Sequence, residues 1–469
     1  MKYPYQAEWL PEGFSMINLF VNLLMVSTGA FANTDVITVT NLDHQPIANA
    51  QVLIGDAMNS AFAGNFLTTD AAGHVTVPAE WTANASITVQ ATGFVRATYL
   101  NQAPHSMTIA LRSQKQMTKK FEIKGTALDL RPFKGDGAVD FGWVIAAFTK
   151  SDLTNFDLGN ILSPQRDALD TIGTDLQIPS NFSIPTQQET YKSPGFPPTT
   201  LNFGKPLYRS YQNQPGPKRF VSLQGRFSLN DAIEILNKEQ KPFFELVNKM
   251  SLLGAGVMDL NVQNESAQLD IPSTKFSLYS DGRSVTVPTI ARYEKFMAIA
   301  AINQSGYLIP TDIKFSDKND SVRLKTIYNE VPLVLGIVKS ESDWKSGKSD
   351  MRLTLMPLTD RTPMVMLPNI NPPTIAGPYE IAFQKISPVA GVNALATYSV
   401  ISSADLDWEI YANKWVTGMK LPNWPYQASG SGKKNWSVSF IGSVTASDVE
   451  LGPAMTEAAT HVTRSSIDY

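Results

Sequence analysis

Hydrophobic positions along this chain recur mostly with a period of two. Val36-Ile37-Thr38-Val39-Thr40 alternates as a half-buried strand does, Asn41-Leu42-Asp43-His44-Gln45 reads as a turn, and 46–54 resumes the alternation. Residues 68–77 supply a strand end, a tight Asp/Gly turn and a new strand, and 86–94 and 107–111 complete the set. Short strands at even spacing with Gly and Asp punctuation predict an antiparallel, Ig- or transthyretin-like β-sandwich over 36–111.

Beyond it the pattern stays β with one interruption. Strands are predicted at 121–128 and 139–148. The segment 163–217 is rich in Pro, Ser, Thr, Gln and Asn, but Leu201, Phe203, Tyr208 and Tyr211 predict a packed surface wrap rather than a free linker. Residues 228–253 form the one helical stretch: Ser228-Leu229-Asn230-Asp231 makes an N-cap start, and Ile233, Leu236, Phe243, Phe244, Val247 and Met250 recur at helical spacing. Pro242 should split it into a helix pair and Gly254-Ala255-Gly256 should end the second helix. After 284, strands are predicted at 296–302, 307–315, 322–327, 333–338, 351–356, 379–386, 395–401, 406–411 and 436–441. Four successive strands within 285–328 point to a propeller-like meander. A pair of sandwiches accounts for the same spacing, because no signature repeats. The expectation is a mainly β protein with domains at 33–115, 116–283 and 284–469, preceded by a 1–32 leader.

The leader rests on Ile17 to Thr28 (INLFVNLLMVST), an uncharged apolar run followed by Ala30-Phe31-Ala32, the small-residue pattern that a signal peptidase reads. Cleavage is expected after Ala32. No Lys or Arg lies between Met16 and the run, and 1–15 is polar and aromatic, so translation is expected to start at Met16. The run falls short of the roughly 20 apolar residues of a membrane-spanning helix, and no other stretch approaches that length.

Composition narrows the partners. Lys+Arg 39 against Asp+Glu 42 leaves a net charge of −3, with no block of like charge to serve as a footprint for nucleic acid or an anionic membrane. The absence of Cys excludes disulfides, thiolate metal sites, a cysteine nucleophile and a lipidated cysteine. An exported chain of 469 residues without disulfides points to the bacterial envelope: periplasm, outer surface or medium.

Three elements within the first module are specific. Pro-Ile-x-x-Ala-x-Val at 46–52, Thr-Asp-x-x-Gly at 69–73 and Val-x-Ala-x-Gly-Phe at 89–94 together resemble the carboxypeptidase regulatory-like family, a transthyretin-like sandwich grouped with carbohydrate-binding-like folds. Gly73 suits a turn that a side chain would resist, and Asp70 can bond its own turn backbone. The first turn departs from the family, with Asp43-His44-Gln45 where Asp-Gly is usual. The resemblance covers about a sixth of the chain. It implies a spacer, stability or docking role with occasional glycan contact, and it carries no reaction with it.

Candidate chemistry is sparse. The four histidines, His44, His74, His105 and His461, form neither His-Glu-x-x-His nor any His-x-x-Glu, so the residues imply no metal centre and no cofactor. Gly430-Ser431-Gly432 falls short of a nucleophile elbow. Asp136 with Asp140, and Asp317-Lys318-Asn319-Asp320, offer oxygen atoms to calcium but are expected to cap ordinary hairpins. In Asp405-Leu406-Asp407-Trp408-Glu409-Ile410-Tyr411, alternation puts Leu406, Trp408 and Ile410 on one face and Asp405, Asp407, Glu409 and Tyr411 on the other. Three carboxylates on one face suit glycoside hydrolysis, and a solvated outer face accounts for the same pattern. Four of the eight tryptophans fall between 408 and 436, making Trp415, Trp424, Tyr426 and Trp436 candidates for stacking on a glycan or a protein partner. The leading expectation is an exported envelope protein that binds, adheres or scaffolds. The alternative is an envelope hydrolase acting on glycan or peptide through a carboxylate site after 284.

Overall fold

Alternation in the first module folds into two facing sheets. The computed structural model describes residues 35–56, 66–114, 121–132, 134, 136–155, 169–172, 176–191, 197, 199–212, 215–236, 243–273, 276–277, 279–327, 331–346, 350–377, 379–403, 407–422 and 433–469. The module's strands are β1 (Val36–Asn41), β2 (Gln51–Ile54), β3 (Leu67–Thr68), β4 (His74–Thr76), β5 (Ala85–Gln90), β6 (Arg96–Gln102) and β7 (Met107–Leu111). One sheet has the order β4-β1-β7 and the other β3-β2-β5-β6. Ile37, Val39, Val75, Ile109 and Leu111 of the first meet Val52, Ile87, Val89 and Tyr99 of the second in one core. The ladder is not purely antiparallel as predicted: β7 pairs parallel to β1, with Ile37 opposite Met107. The chain has crossed to the second sheet and back before β7, which frees it to enter in β1's direction.

Both turns singled out in the sequence have a physical basis. Asp70 Oδ1 accepts from Ala72 N and His74 N at 2.9 and 2.8 Å, and Gly73 has φ +76°. In the first turn, His44 takes the left-handed conformation at φ 60°, where a glycine is usual. Asn41 holds it there, its Oδ1 accepting from Asp43 N and Gln45 N at 2.9 Å each.

The second sheet does not stop at β6. Asp407–Asn413 pairs parallel to it, Trp408 opposite Arg96 and Tyr411 opposite Tyr99. From there the sheet runs through Asn393–Ser402, Asn435–Ser443, His461–Asp468, Met351–Pro357, Pro332–Ser340, Glu294–Gln304 and Tyr307–Ser316 to Phe148–Thr149. Among the described residues this makes thirteen strands in one hydrogen-bonded path.

The propeller-like meander is not what forms, and no closed barrel or propeller occurs among the described residues. The first and last strands of the expected four-strand run leave it for a separate sheet, in which Tyr279–Thr286 pairs with Ser321–Thr326 on one side and Arg361–Pro363 on the other. Glu294–Gln304 explains why, because it is apolar on both faces. Phe296, Ala298 and Ala300 pack against Val285 and Leu324 of that small sheet. Met297, Ile299 and Ala301 pack the other way, against Val139, Phe141, Trp143 and Ile145. A strand of this kind needs cover on both sides. The second cover is a six-stranded sheet that contains Ala138–Ala146, Gly216–Ser228 and Ser251–Val262.

The Pro-rich wrap is largely strand. Leu207–Gln212 pairs along the whole of 121–126, with buried Tyr208 donating its hydroxyl to Leu269 O at 2.5 Å. The helix pair is present as Leu229–Leu236 and Phe243–Lys249, and Ser228 Oγ accepts from Asp231 N at 3.3 Å as the cap requires. The second helix ends earlier than predicted. Gly254-Ala255-Gly256 does not terminate it but lies inside strand Ser251–Val262, where a Cβ on Gly256 would come within 1.5 Å of Pro272 O.

Candidate functional site

Several buried polar groups gather where β6 meets Asp407–Asn413. On one face of this seam Trp408 is fully buried, and its Nε1 donates to Thr98 Oγ1 at 2.8 Å. The Arg96 guanidinium lies 4.7 Å from the Trp408 ring centre, with Nε donating to Gln90 Oε1 at 2.9 Å. Burial pushes Arg96 down to about 10, against a smaller opposing pull from Tyr379.

On the opposite face sits Glu409. The predicted alternation holds for Trp408 and Ile410 against Glu409 and Tyr411, while Asp405 and Leu406 lie outside the described residues. The outer face is not solvated, however. Glu409 is 6 % exposed, accepting from Tyr398 Oη at 2.8 Å and Tyr411 Oη at 2.6 Å, with Arg112 Nε at 3.2 Å. β7 and its flanking residues cover this face, so Glu409 meets a tyrosine–arginine cage instead of water. Burial works against the Arg112 cation, but the Glu409 carboxylate, helped by Tyr398 and Tyr411, lifts it above its ordinary range. Burial, and then Glu409, push the Tyr411 hydroxyl well up, so it stays a donor. This carboxylate is held in place rather than presented to a substrate.

The aromatic candidates divide. Trp436 is 1 % exposed, its Nε1 donating to Ser399 Oγ at 2.7 Å, and it offers no free face for stacking. Trp415 is half-buried, edge-on to Phe440 at 6.3 Å, with Nε1 bonded to Ile441 O at 2.8 Å. Trp424 and Tyr426 lie outside the described residues. The side chains of the acidic runs are engaged by other groups of the protein. Asp140 receives Arg226 through two bonds of 2.6 and 3.2 Å, and Asp136 receives Arg131 at 2.7 Å. Asp317 pairs with Lys295 at 3.2 Å, Asn319 Oδ1 caps Ile290 N and Asp320 accepts from Ser316 Oγ. No group of three or more metal-ligating side chains occurs among the described residues.

A groove of about 630 Å³ opens along the same seam. Its lining comes from two distant parts of the chain: Gly55, Asp56, Asn84, Ser86 and Asn101 from the first module, and Asn413 and Gly418-Met419-Lys420 from the last third. Leu100, Ala412 and Val416 supply aliphatic surface. Asn101 takes φ 55°, and its Oδ1 accepts from Asn84 Nδ2 at 3.3 Å, which fixes two of the three amides on one wall. Opposite single charges on Asp56 and Lys420 leave the lining neutral overall. Amides that both donate and accept, set over an aliphatic floor, can orient an uncharged polar ligand. The sequence carried no signal for this groove, since its walls lie more than 300 residues apart along the chain.

No family model and no curated protein matches this chain. Among solved structures it is similar to the major pilin subunit BcpA of Bacillus cereus, at 9% identity over 71% of this chain and 98% of that one, with a TM-score of 0.16. It is also similar to a streptococcal ancillary pilin, at 12% identity, the same coverage of both chains and a TM-score of 0.14. TM-scores this low do not establish a shared fold. What stands is a mainly β chain of several sheets, in which no described helix is long and apolar enough to cross a membrane; β-barrel spanning is a separate matter.

Proposed function

We propose that this chain is an exported bacterial envelope protein that binds or scaffolds, with the seam groove as its recognition surface. The groove itself carries the reading: three amides, a hydroxyl and two opposite charges line an aliphatic-floored channel that the first module and residues 412–420 build together. Such a lining orients a ligand through hydrogen bonds and offers no converging pair of carboxylates. Glu409, the more buried of the cluster's two described acidic residues, is enclosed by Arg112 and two tyrosines, which speaks against the hydrolase alternative. Export is supported by the apolar run 17–28 and Ala30-Phe31-Ala32. The first module is a carboxypeptidase regulatory-like domain on this reading, supported by the Thr69–Gly73 turn geometry and the two facing sheets, and its role is docking.

The test is fractionation of bacteria that produce the full chain, followed by N-terminal sequencing and sedimentation of the purified protein with envelope preparations. The mature protein is expected outside the cytoplasm, to begin at Asn33, and to co-sediment with envelope. A chain that stays cytosolic and still carries Trp9, or one that never co-sediments, overturns the reading.

A further inference from the structure

One wall of the seam groove is a sheet edge that no strand covers among the described residues. Strand Gly418–Lys420 closes a three-stranded sheet with Thr374–Gly377 and Glu380–Ala382, and among the described residues it has a neighbour on one side only. Its main-chain directions follow from the flanking bonds. Leu421 N donates to Tyr379 O, and Phe383 N donates to Thr417 O, at 2.8 and 2.9 Å. Odd-numbered residues therefore turn their N–H and C=O groups toward Glu380–Ala382, and Gly418 and Lys420 turn theirs the other way. That other way is the groove. Gly418, Met419 and Lys420 all line it, whereas a strand presented face-on would contribute alternate residues only. The Met419 side chain is buried, which holds the strand in this orientation.

We infer that the groove takes an extended polypeptide segment, which adds as a strand to the edge Gly418–Lys420 and is flanked on its far side by Asn84, Ser86 and Asn101. This deepens the binding reading above and rests on it. Main-chain donors and acceptors at Gly418 and Lys420 give the pairing its affinity, as an edge strand does wherever it is left open. The amides on the opposite wall meet the segment's outer main-chain groups. The three-residue edge spans about 10 Å, so the paired stretch is short and the surrounding lining sets its length. With one carboxylate and one ammonium in the lining, a segment of zero net charge fits best.

The experiment uses the full mature chain and a pool of N-acetylated, C-amidated nine-residue peptides built from Val, Thr and Ser. Amide hydrogen exchange at 418–420 is expected to slow on binding. Methylating alternate backbone nitrogens of a bound peptide is expected to weaken it at least tenfold, which tests the main-chain pairing without altering the protein. Lys420→Pro removes an outward N–H at an edge position that tolerates proline, and should cost a similar factor; Lys420→Ala, which keeps the main chain, should stay within about threefold. Three results overturn the inference: no peptide binds, methylated peptides bind as well as unmethylated ones, or chitotetraose rather than peptide protects 418–420. Envelope co-sedimentation that persists in any of these cases leaves the broader binding reading standing while the peptide reading falls.

Discussion

Glu409 and Arg112 are opposite charges that the fold withdraws from water together, and each depends on the other for compensation. Removing one partner of such a pair leaves a desolvated charge, at a cost of ~3–5 kcal/mol. Glu409→Ala is therefore expected to lower unfolding stability by about that amount in denaturant titration, with the Tyr398 and Tyr411 hydroxyls also losing their acceptor. A loss below about 1 kcal/mol would mean the cage is solvated. His461 gives a pH signature. It is 2 % exposed in its strand, and burial pushes it down to about 4 from an ordinary 6.5. Between those values the unfolded chain binds a proton that the folded chain refuses, so stability is full above pH 6.5 and falls as the pH drops toward 4. The loss attributable to this residue is on the order of 3 kcal/mol. Asp312, whose carboxyl burial pushes up, works in the opposite sense. The unfolding midpoint of wild type is therefore expected to fall more steeply than that of His461→Gln as the pH drops from 7 to 4, and equal slopes would mean the imidazole is not responsible.

At the scale of elements, the same residue types served two structures. Gly254-Ala255-Gly256 reads as a helix terminator by composition, yet it forms the interior of a strand over which Ile271–Pro272 passes in close contact. Glycine is there for proximity, not for a turn. Gly256→Ala would place a methyl against the Pro272 carbonyl, backbone against backbone with no flexible side chain to yield. It is expected to destabilise by ~1–3 kcal/mol or more, read as a lowered melting midpoint, because overpacking forces the main chain to move. Alternation was a better guide than breakers. Strands such as Val36–Asn41, Glu294–Gln304 and Asn393–Ser402 lie within a residue or two of their predicted spans, since period two is a local property of the side chains.

For the whole molecule, the seam changes what the first module is. Its core residues Val89, Tyr99 and Ile109 share a cluster with Leu395, Tyr398, Tyr411 and Ile441 from the far end of the chain. An isolated 35–114 fragment keeps both of its facing sheets, so we propose that it still unfolds cooperatively. It should do so at a lower midpoint than the intact chain, and it should self-associate through the bared edge of β6, where Thr98 and Arg96 lose Trp408. Denaturant unfolding and sedimentation velocity check both points. A fragment with no cooperative transition would show that the shared core is indispensable.

The sequence by itself determined that the chain is mainly β, where most strands run, the helix pair, and the turns at Asp70–Gly73 and 228–231. Each of these depends on spacing or chemistry within a few residues. It also bounded the chemistry, since no thiol and few histidines were present to be arranged. Only the tertiary structure decided which strands are neighbours, and with that everything about the site. Main-chain hydrogen bonds are nearly alike for every residue, so pairing is chosen by how side chains fit across long separations, and one sequence does not display that choice. Trp408 and Trp436 became core because other strands cover them, and Glu409 became a buried ion-pair partner because Arg112 arrives beside it. The groove exists because 84–101 and 412–420 were brought to the same seam.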